Sequence, residues 1–210
     1  MPIKPDREYR NLGAFETKEV NLRAGEQENF LVSGYASTFE PYLLMRIDDT
    51  DCYERVDKDA FNDADLSDVV FLRDHAGRVF ARTKNDTLKL SVDEHGLFTE
   101  ADLSKTGGAR EMFEDIESGN YSQMSFAFTV ADEEMEENED GSITRVIKRF
   151  GKLYDVSAVS FPANPTTDIG VSARGAFDGV IEKRTAERLA AEVRKRELEK
   201  IKLKAKIAKG

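Results

Sequence analysis

From residue 14 to residue 161 the chain repeatedly alternates apolar and polar residues with a period of two. That period lines one face of a strand, and on a helix it scatters the apolar residues around the axis. Phe30, Val32, Gly34 and Ala36 alternate with Leu31, Ser33, Tyr35 and Ser37, which predicts a strand over 29–38. Val69 to Leu72 is a short apolar run, read as a buried strand ending just before His75. Leu88, Leu90 and Val92 alternate with polar residues. Asp93 to Gly96 then supply turn chemistry, and Leu97 to Leu103 return as the partner strand. Residues 121–131 and 142–150 predict another hairpin with Gly141 near its tip. The acidic run Glu133 to Asp140 reads as a solvated loop within it, and a last strand is predicted over 153–161.

Helical signals are few. Ala109, Met112, Phe113 and Ile116 fall at i, i+3, i+4 and i+7, and Gly119 is placed to stop the helix. A shorter helix is predicted over Lys58 to Ala64. The balance predicts a mainly β chain of the α+β class, an antiparallel barrel or sandwich with helices attached. After Asn164-Pro165 the character changes. The expected division is a β domain over 1–165, a linker of small and polar residues over 166–180, and a basic tail over 181–210. Residues 181–208 of that tail predict one long charged helix, with Leu189, Val193, Leu198, Ile201 and Ile207 as a thin apolar stripe.

Charge narrows the partners. Residues 182–210 carry 11 Lys/Arg and 5 Asp/Glu, a balance of +6. That leaves 20 of the 31 basic and 36 of the 41 acidic residues to the rest, a balance of −16. An acidic body of this kind disfavours nucleic acid as a partner, while the tail suits a polyanion or an acidic protein. No apolar run approaches the ~20 residues needed to span a bilayer, so no membrane partner is expected. The N-terminus lacks the apolar stretch of a secretory signal. The single cysteine, Cys52, allows no intrachain disulfide, and the two histidines form no cluster of zinc-ligand spacing. No Gly-rich phosphate loop is present either, and no cofactor is expected.

Three residues have the parts of a serine-nucleophile hydrolase. His75 follows an apolar strand and precedes Ala76-Gly77-Arg78, a strand-to-loop junction that exposes a side chain on a rigid base. Ser125 lies in a strand whose core face is Met124, Phe126, Phe128 and Val130. It shares the other face with Ala127 and Thr129, small residues that let another group approach. Asp155 shares a face with Leu153, Ser157 and Val159, and a carboxylate there needs a partner such as an imidazole N–H. The competing readings are plain ones: a surface histidine beside Asp74, a solvent-facing serine, and an edge-strand aspartate. His95 sits in a turn that explains it without chemistry, and Ser122 is on the opposite face from Ser125. Cys52 paired with His75 would make a cysteine hydrolase, but Asp48, Asp49, Asp51 and Glu54 around it disfavour the thiolate.

The ordered set of motifs resembles the prohead proteases of tailed bacteriophages, distant relatives of the herpesvirus assembly protease. The pieces are Gly34 to Ser37, the histidine after an apolar strand, Glu94 to Phe98, a helix ending in Glu117 to Asn120, Met124 to Phe128, and Tyr154 to Pro165. They span about residues 12 to 173. The resemblance implies a small antiparallel β-barrel with flanking helices and a catalytic set of His75, Ser125 and Asp155. Two positions depart from the family pattern: Ala127 stands where Gly is frequent, and Asp155 stands where Glu is frequent. The implied activity is a serine endopeptidase of head maturation. It would cleave the scaffold segment of the major capsid protein, or a separate scaffold protein, and then itself. The setting is the host cytoplasm during assembly and then the prohead interior. The tail is expected to dock the protease inside the shell, and a homo-oligomer fits the same setting. Arg145 and Arg149 are candidates for the oxyanion donor beside backbone N–H groups. The rival reading is a catalytically inactive scaffolding module, and a nucleic-acid-binding barrel is disfavoured by the acidic body.

Overall fold

The computed structural model describes residues 7–17, 30–160 and 171–207. It divides into two compact units, Met1–Ser172 and Ala173–Gly210. The first unit is built on one ten-stranded sheet. Its strands are β1 (Glu8–Thr17), β2 (Leu31–Thr38), β3 (Tyr42–Ile47), β4 (Thr50–Val56), β5 (Val70–Arg73), β6 (Ala76–Arg82), β7 (Leu88–Val92), β8 (Gly96–Asp102), β9 (Gln123–Glu137) and β10 (Ile143–Val159). The order across the sheet is β3-β4-β10-β9-β1-β2-β8-β7, with β5 on β10 and β6 on β5. The chain is thus mixed α+β and mostly strand. Among the described residues no pairing joins β3 to β7, so the closure of a barrel is not found.

The spine is β10. One edge runs antiparallel to β9 from Ile143↔Glu137 to Val159↔Gln123. The other edge is shared by two parallel strands, β4 against 143–147 and β5 against 155–158. The sheet is therefore mixed, which corrects the expectation of an antiparallel one. The two strands predicted over 142–150 and 153–161 are one continuous strand, carried through four register shifts. The acidic run is a loop only over Asn138 to Asp140: Glu133 to Glu137 belong to β9, and Arg145 and Arg55 pair with Glu133 and Glu136. Opposite charge across the ladder offsets the low strand propensity of those acids.

The expected strands over 29–38, 69–72 and 88–103 match β2, β5 and the β7–β8 hairpin closely. At that hairpin a Cβ on Gly96 would lie 2.0 Å from the Ser37 carbonyl oxygen, so only glycine lets β8 approach β2 there. The predicted internal helix is α1 (Gly107–Glu117). The Thr106 hydroxyl caps it by accepting the Ala109 N–H at 3.1 Å. Ala109, Met112 and Ile116 are its buried stripe, and burying Met112 and Ile116 contributes about 1.5–3 kcal/mol each. The helix predicted over 58–64 does not form, and that stretch is a series of turns. Asp57 Oδ1 accepts the Asp59 N–H, and the Ala60 carbonyl accepts Phe150 N–H from β10. Local capping and pairing with the sheet take the groups a helix would use.

The core lies on the Phe126 side of β9. Phe126 and Phe128 stack at 4.7 Å, and Phe150 packs edge-on to Phe128 at 4.9 Å. In the second unit α2 (Val171–Ile207) is one helix of 37 residues. It begins inside the stretch expected to be linker. Phe177, Val180 and Ile181 recur at i, i+3 and i+4, a helical spacing that Gly175 and Gly179 weaken without breaking. Residues 161–170, which hold the rest of the expected linker and Asn164-Pro165, lie outside the described residues. No described helix is long and apolar enough to cross a membrane.

Candidate active site

Two rows of residues cross the middle of the sheet. Tyr9 of β1, Ala127 of β9, Asp155 of β10 and Val70 of β5 form one. Asn11, Ser125, Ser157 and Leu72 form the next. Residues two apart on a strand share a face, so Ser125, Asp155 and Ser157 converge on the face opposite the Phe126 core. All three are nearly sealed, at 3 %, 4 % and 0 % exposure.

His75 reaches them from the turn between β5 and β6. Arg73 pairs with Ala76, so the loop is two residues, Asp74 and His75. Both have positive φ, +47° and +55°. That is the pattern of the tight hairpin turn that usually takes Asn-Gly, and it costs a side chain with a β-carbon about 1–2 kcal/mol per residue. The turn is clamped to β10 at both positions. Asp74 N–H donates to the Ala158 carbonyl at 3.0 Å, and His75 N–H donates to Ser157 Oγ at 3.2 Å. Strain held in place by fixed partners is common where a reactive group must be aimed.

The imidazole lies between the other two residues. His75 Nδ1 is 2.6 Å from Asp155 Oδ1, and His75 Nε2 is 2.6 Å from Ser125 Oγ. An ionised carboxylate only accepts, so the neutral ring carries its proton on Nδ1 and leaves Nε2 to accept the Ser125 hydroxyl. The Tyr9 ring packs edge-on against the imidazole at 4.7 Å and limits its rotation. The structure thus brings together all three residues singled out in the sequence. Ser157 and Tyr9 were not singled out. Ser157 lies two residues after Asp155 on the same face, which was the available signal; Tyr9 comes from a strand that the sequence reading passed over.

The other candidates lie elsewhere. Ser122 is exposed just before β9. His95 is exposed beside Glu94, at 3.7 Å. Cys52 is buried in β4 against the first half of β10. Arg149 is exposed, next to the core residue Phe150. Arg145 is committed to carboxylates, through Glu8 Oε2 at 2.7 Å and Oε1 at 2.8 Å, Glu54 at 3.0 Å and Glu133. Glu8 and its neighbour Arg10 oppose Phe128 and Phe126, on the face away from Ser125. An arginine held there has no donor left to aim at a developing oxyanion beside Ser125. Among the described residues no group of His, Cys, Asp and Glu is arranged to hold a metal ion. A groove of about 530 Å³ lined by Leu66, Leu88, Leu90 and Phe98 contains none of the three residues.

A buried hydroxyl, an imidazole and a carboxylate in this sequence of contacts suit acyl transfer through a serine ester. A family model described as caudovirus prohead serine protease matches residues 15–180. No curated protein and no solved structure matches the chain. The matched span takes in most of the 210 residues, including His75, Ser125 and Asp155, and ends within α2. On that span the chain belongs to the caudovirus prohead serine protease family.

Proposed function

We propose that the protein is a serine endopeptidase of phage head maturation, with Ser125 as nucleophile, His75 as general base and acid, and Asp155 as the group that orients the ring. The observation that carries this reading is the pair of 2.6 Å contacts on the two ring nitrogens of His75. Ser125 Oγ attacks a peptide carbonyl as His75 Nε2 takes its proton. The tetrahedral intermediate collapses, and His75 gives that proton to the leaving amine. A water molecule, deprotonated by the same nitrogen, then hydrolyses the ester and frees Ser125. Asp155 stays ionised and holds the imidazolium that forms at each step. The donors for the oxyanion are backbone N–H groups rather than Arg145.

The substrate is the scaffold segment of the major capsid protein or a separate scaffold protein, and afterwards the protease itself. Residues 1–165 act as the protease domain, the chain after them through residue 180 as the connection, and residues 181–210 as a basic tail that docks the enzyme within the assembling shell. Co-expression with the capsid protein, followed by gel analysis of its processing, tests the reading. Ser125→Ala should abolish cleavage while Ser122→Ala retains it. The reverse result would remove Ser125 as the nucleophile, and unaltered processing in both would favour an inactive scaffolding role for this chain.

A further inference from the structure

Ser157 makes two bonds that meet at the site. Its Oγ donates to Asp155 Oδ1 at 2.7 Å, and the same oxygen accepts the His75 N–H at 3.2 Å. One hydroxyl uses its single proton on the carboxylate and a lone pair on the backbone of the histidine. Ser157 is fully buried, and its Cα partners are Ser125 on β9 and Leu72 on β5. It therefore stands between the strand of the nucleophile and the strand that leads to His75.

From this geometry we infer that Ser157 is a positioning residue for the catalytic set, an inference that rests on the serine-peptidase reading above. Asp155 Oδ1 receives both the His75 Nδ1–H and the Ser157 hydroxyl. Two donors on one oxygen fix the carboxylate in its plane, and the carboxylate in turn fixes the ring. The bond to His75 N–H acts on the other end of the same residue. It holds the backbone of a turn that departs from ordinary dihedrals, with φ +55° at His75. Without Ser157 both ends of His75 lose a restraint together. The ring then no longer sits in line with Ser125 Oγ, and a displacement near 1 Å lowers such reactions by about 100-fold.

The test uses the full chain and a fluorophosphonate probe, which reports the nucleophilicity of the active serine without a known peptide substrate. Four variants are compared with the wild type: Ser125→Ala, Ser157→Ala, Ser157→Thr and Ser157→Cys. Ser157→Ala should stay folded with a somewhat lowered melting temperature, because it orphans the buried His75 N–H, and should label about 10- to 100-fold more slowly. Ser157→Thr keeps the hydroxyl and should label within a few-fold of wild type. A downfield imidazole proton resonance from the His75 Nδ1–H to Asp155 bond should be sharp in wild type and in Ser157→Thr, and broadened or lost in Ser157→Ala. Full-rate labelling of Ser157→Ala, with Ser125→Ala unlabelled, would overturn the inference and leave the peptidase reading intact. Equal labelling of Ser125→Ala and wild type would instead overturn the peptidase reading. If Ser157→Ala fails to fold, Ser157→Cys decides the matter, because a thiol is a weak donor of similar size. Wild-type labelling of a folded Ser157→Cys would overturn the inference, and slowed labelling would support it.

Discussion

His75 and His95 are the two histidines of the chain, and their surroundings differ in kind. The His75 ring is restrained on two nitrogens and one edge, by Asp155, Ser125 and Tyr9. His95 lies in the turn between β7 and β8, where Asp93 Oδ1 accepts its backbone N–H at 2.8 Å. That bond serves the turn and leaves the ring exposed. His75→Ala should therefore reduce cleavage of the capsid protein by about 10²–10⁴-fold, the usual contribution of a general base, while His95→Ala stays near wild type. Equal rates for the two variants in a timed processing assay would count against His75. Single residues were readable from the sequence where a strand period placed them. Ser125 and Asp155 both sit on a defined face, and His75 follows an apolar run. The turn that aims His75 was not readable, because Asp-His is a poor signal for a turn with positive φ at both positions. Its stability comes from β10, some 80 residues away in sequence, through Ala158 and Ser157.

At the scale of elements, β1 and the β3–β4 hairpin went unread for one physical reason. Their charged residues look like a solvent face, and here several of them are buried. Arg10 of β1 forms a two-pronged pair with Glu54 of β4, at 2.5 and 2.7 Å, and reaches Glu8 at 2.6 Å. Arg145 of β10 binds the same two glutamates, and the Tyr42 hydroxyl of β3 donates to Glu54. With Glu133 of β9 also on Arg145, two arginines face three glutamates, and this network ties β1, β3, β4, β9 and β10 together. Such a network adds little net stability over an apolar core but makes each member costly to remove. Arg145→Ala leaves Glu8 and Glu54 short of donors, and it should lower the unfolding free energy by about 3–5 kcal/mol in a urea titration. Because β1 also carries Tyr9, a partial loosening of that strand should slow fluorophosphonate labelling as well. The network has an acid limit. Burial alone would raise the Glu8 carboxyl, but hydrogen bonding to Arg145 and the charges of Arg10 and Arg145 outweigh it and hold it below its ordinary value of 4.5. A carboxyl lowered in the folded state stabilises the fold above its unfolded value, and that contribution is lost as pH falls through the folded value. The urea midpoint should therefore drop as pH falls below about 4.5, and Glu8→Gln should start lower at neutral pH and show a shallower acid drop. Identical acid limbs for the two would mean that Glu8 does not carry the effect.

The whole molecule joins two regions of opposite charge, and the joining region is where sequence and structure diverge most. The parallel pairings of β4 and β5 on β10 link distant segments and leave no local signal. The start of α2 at Val171 was hidden by small residues that read as a linker. That start bears on self-cleavage, which we propose falls within residues 166–184, where the acidic body gives way to the basic tail. A peptidase of this kind takes its substrate extended, so residues 171–184 must leave the helix before they can be cut. Gly175 and Gly179 lower the cost of that melting by about 1 kcal/mol each relative to Ala. Replacing both with Ala should therefore slow trimming at sites within α2 and leave labelling of Ser125 unchanged. The tail over residues 182–210 carries a balance of +6. Its Leu189, Val193, Leu198 and Ile201 are 54–62 % exposed, so the helix has apolar as well as basic surface to offer an acidic partner. A chain ending at Ala173 should keep fluorophosphonate reactivity and fail to enter proheads. The measurement is its abundance in purified proheads beside the full chain, at low and at raised salt. Packaging of the full chain that weakens with salt, and near-absence of the shortened one, would fit recruitment through the basic tail. Equal packaging of the two would mean that recruitment resides in residues 1–173, and an untrimmed tail in an active preparation would remove self-cleavage from the proposal.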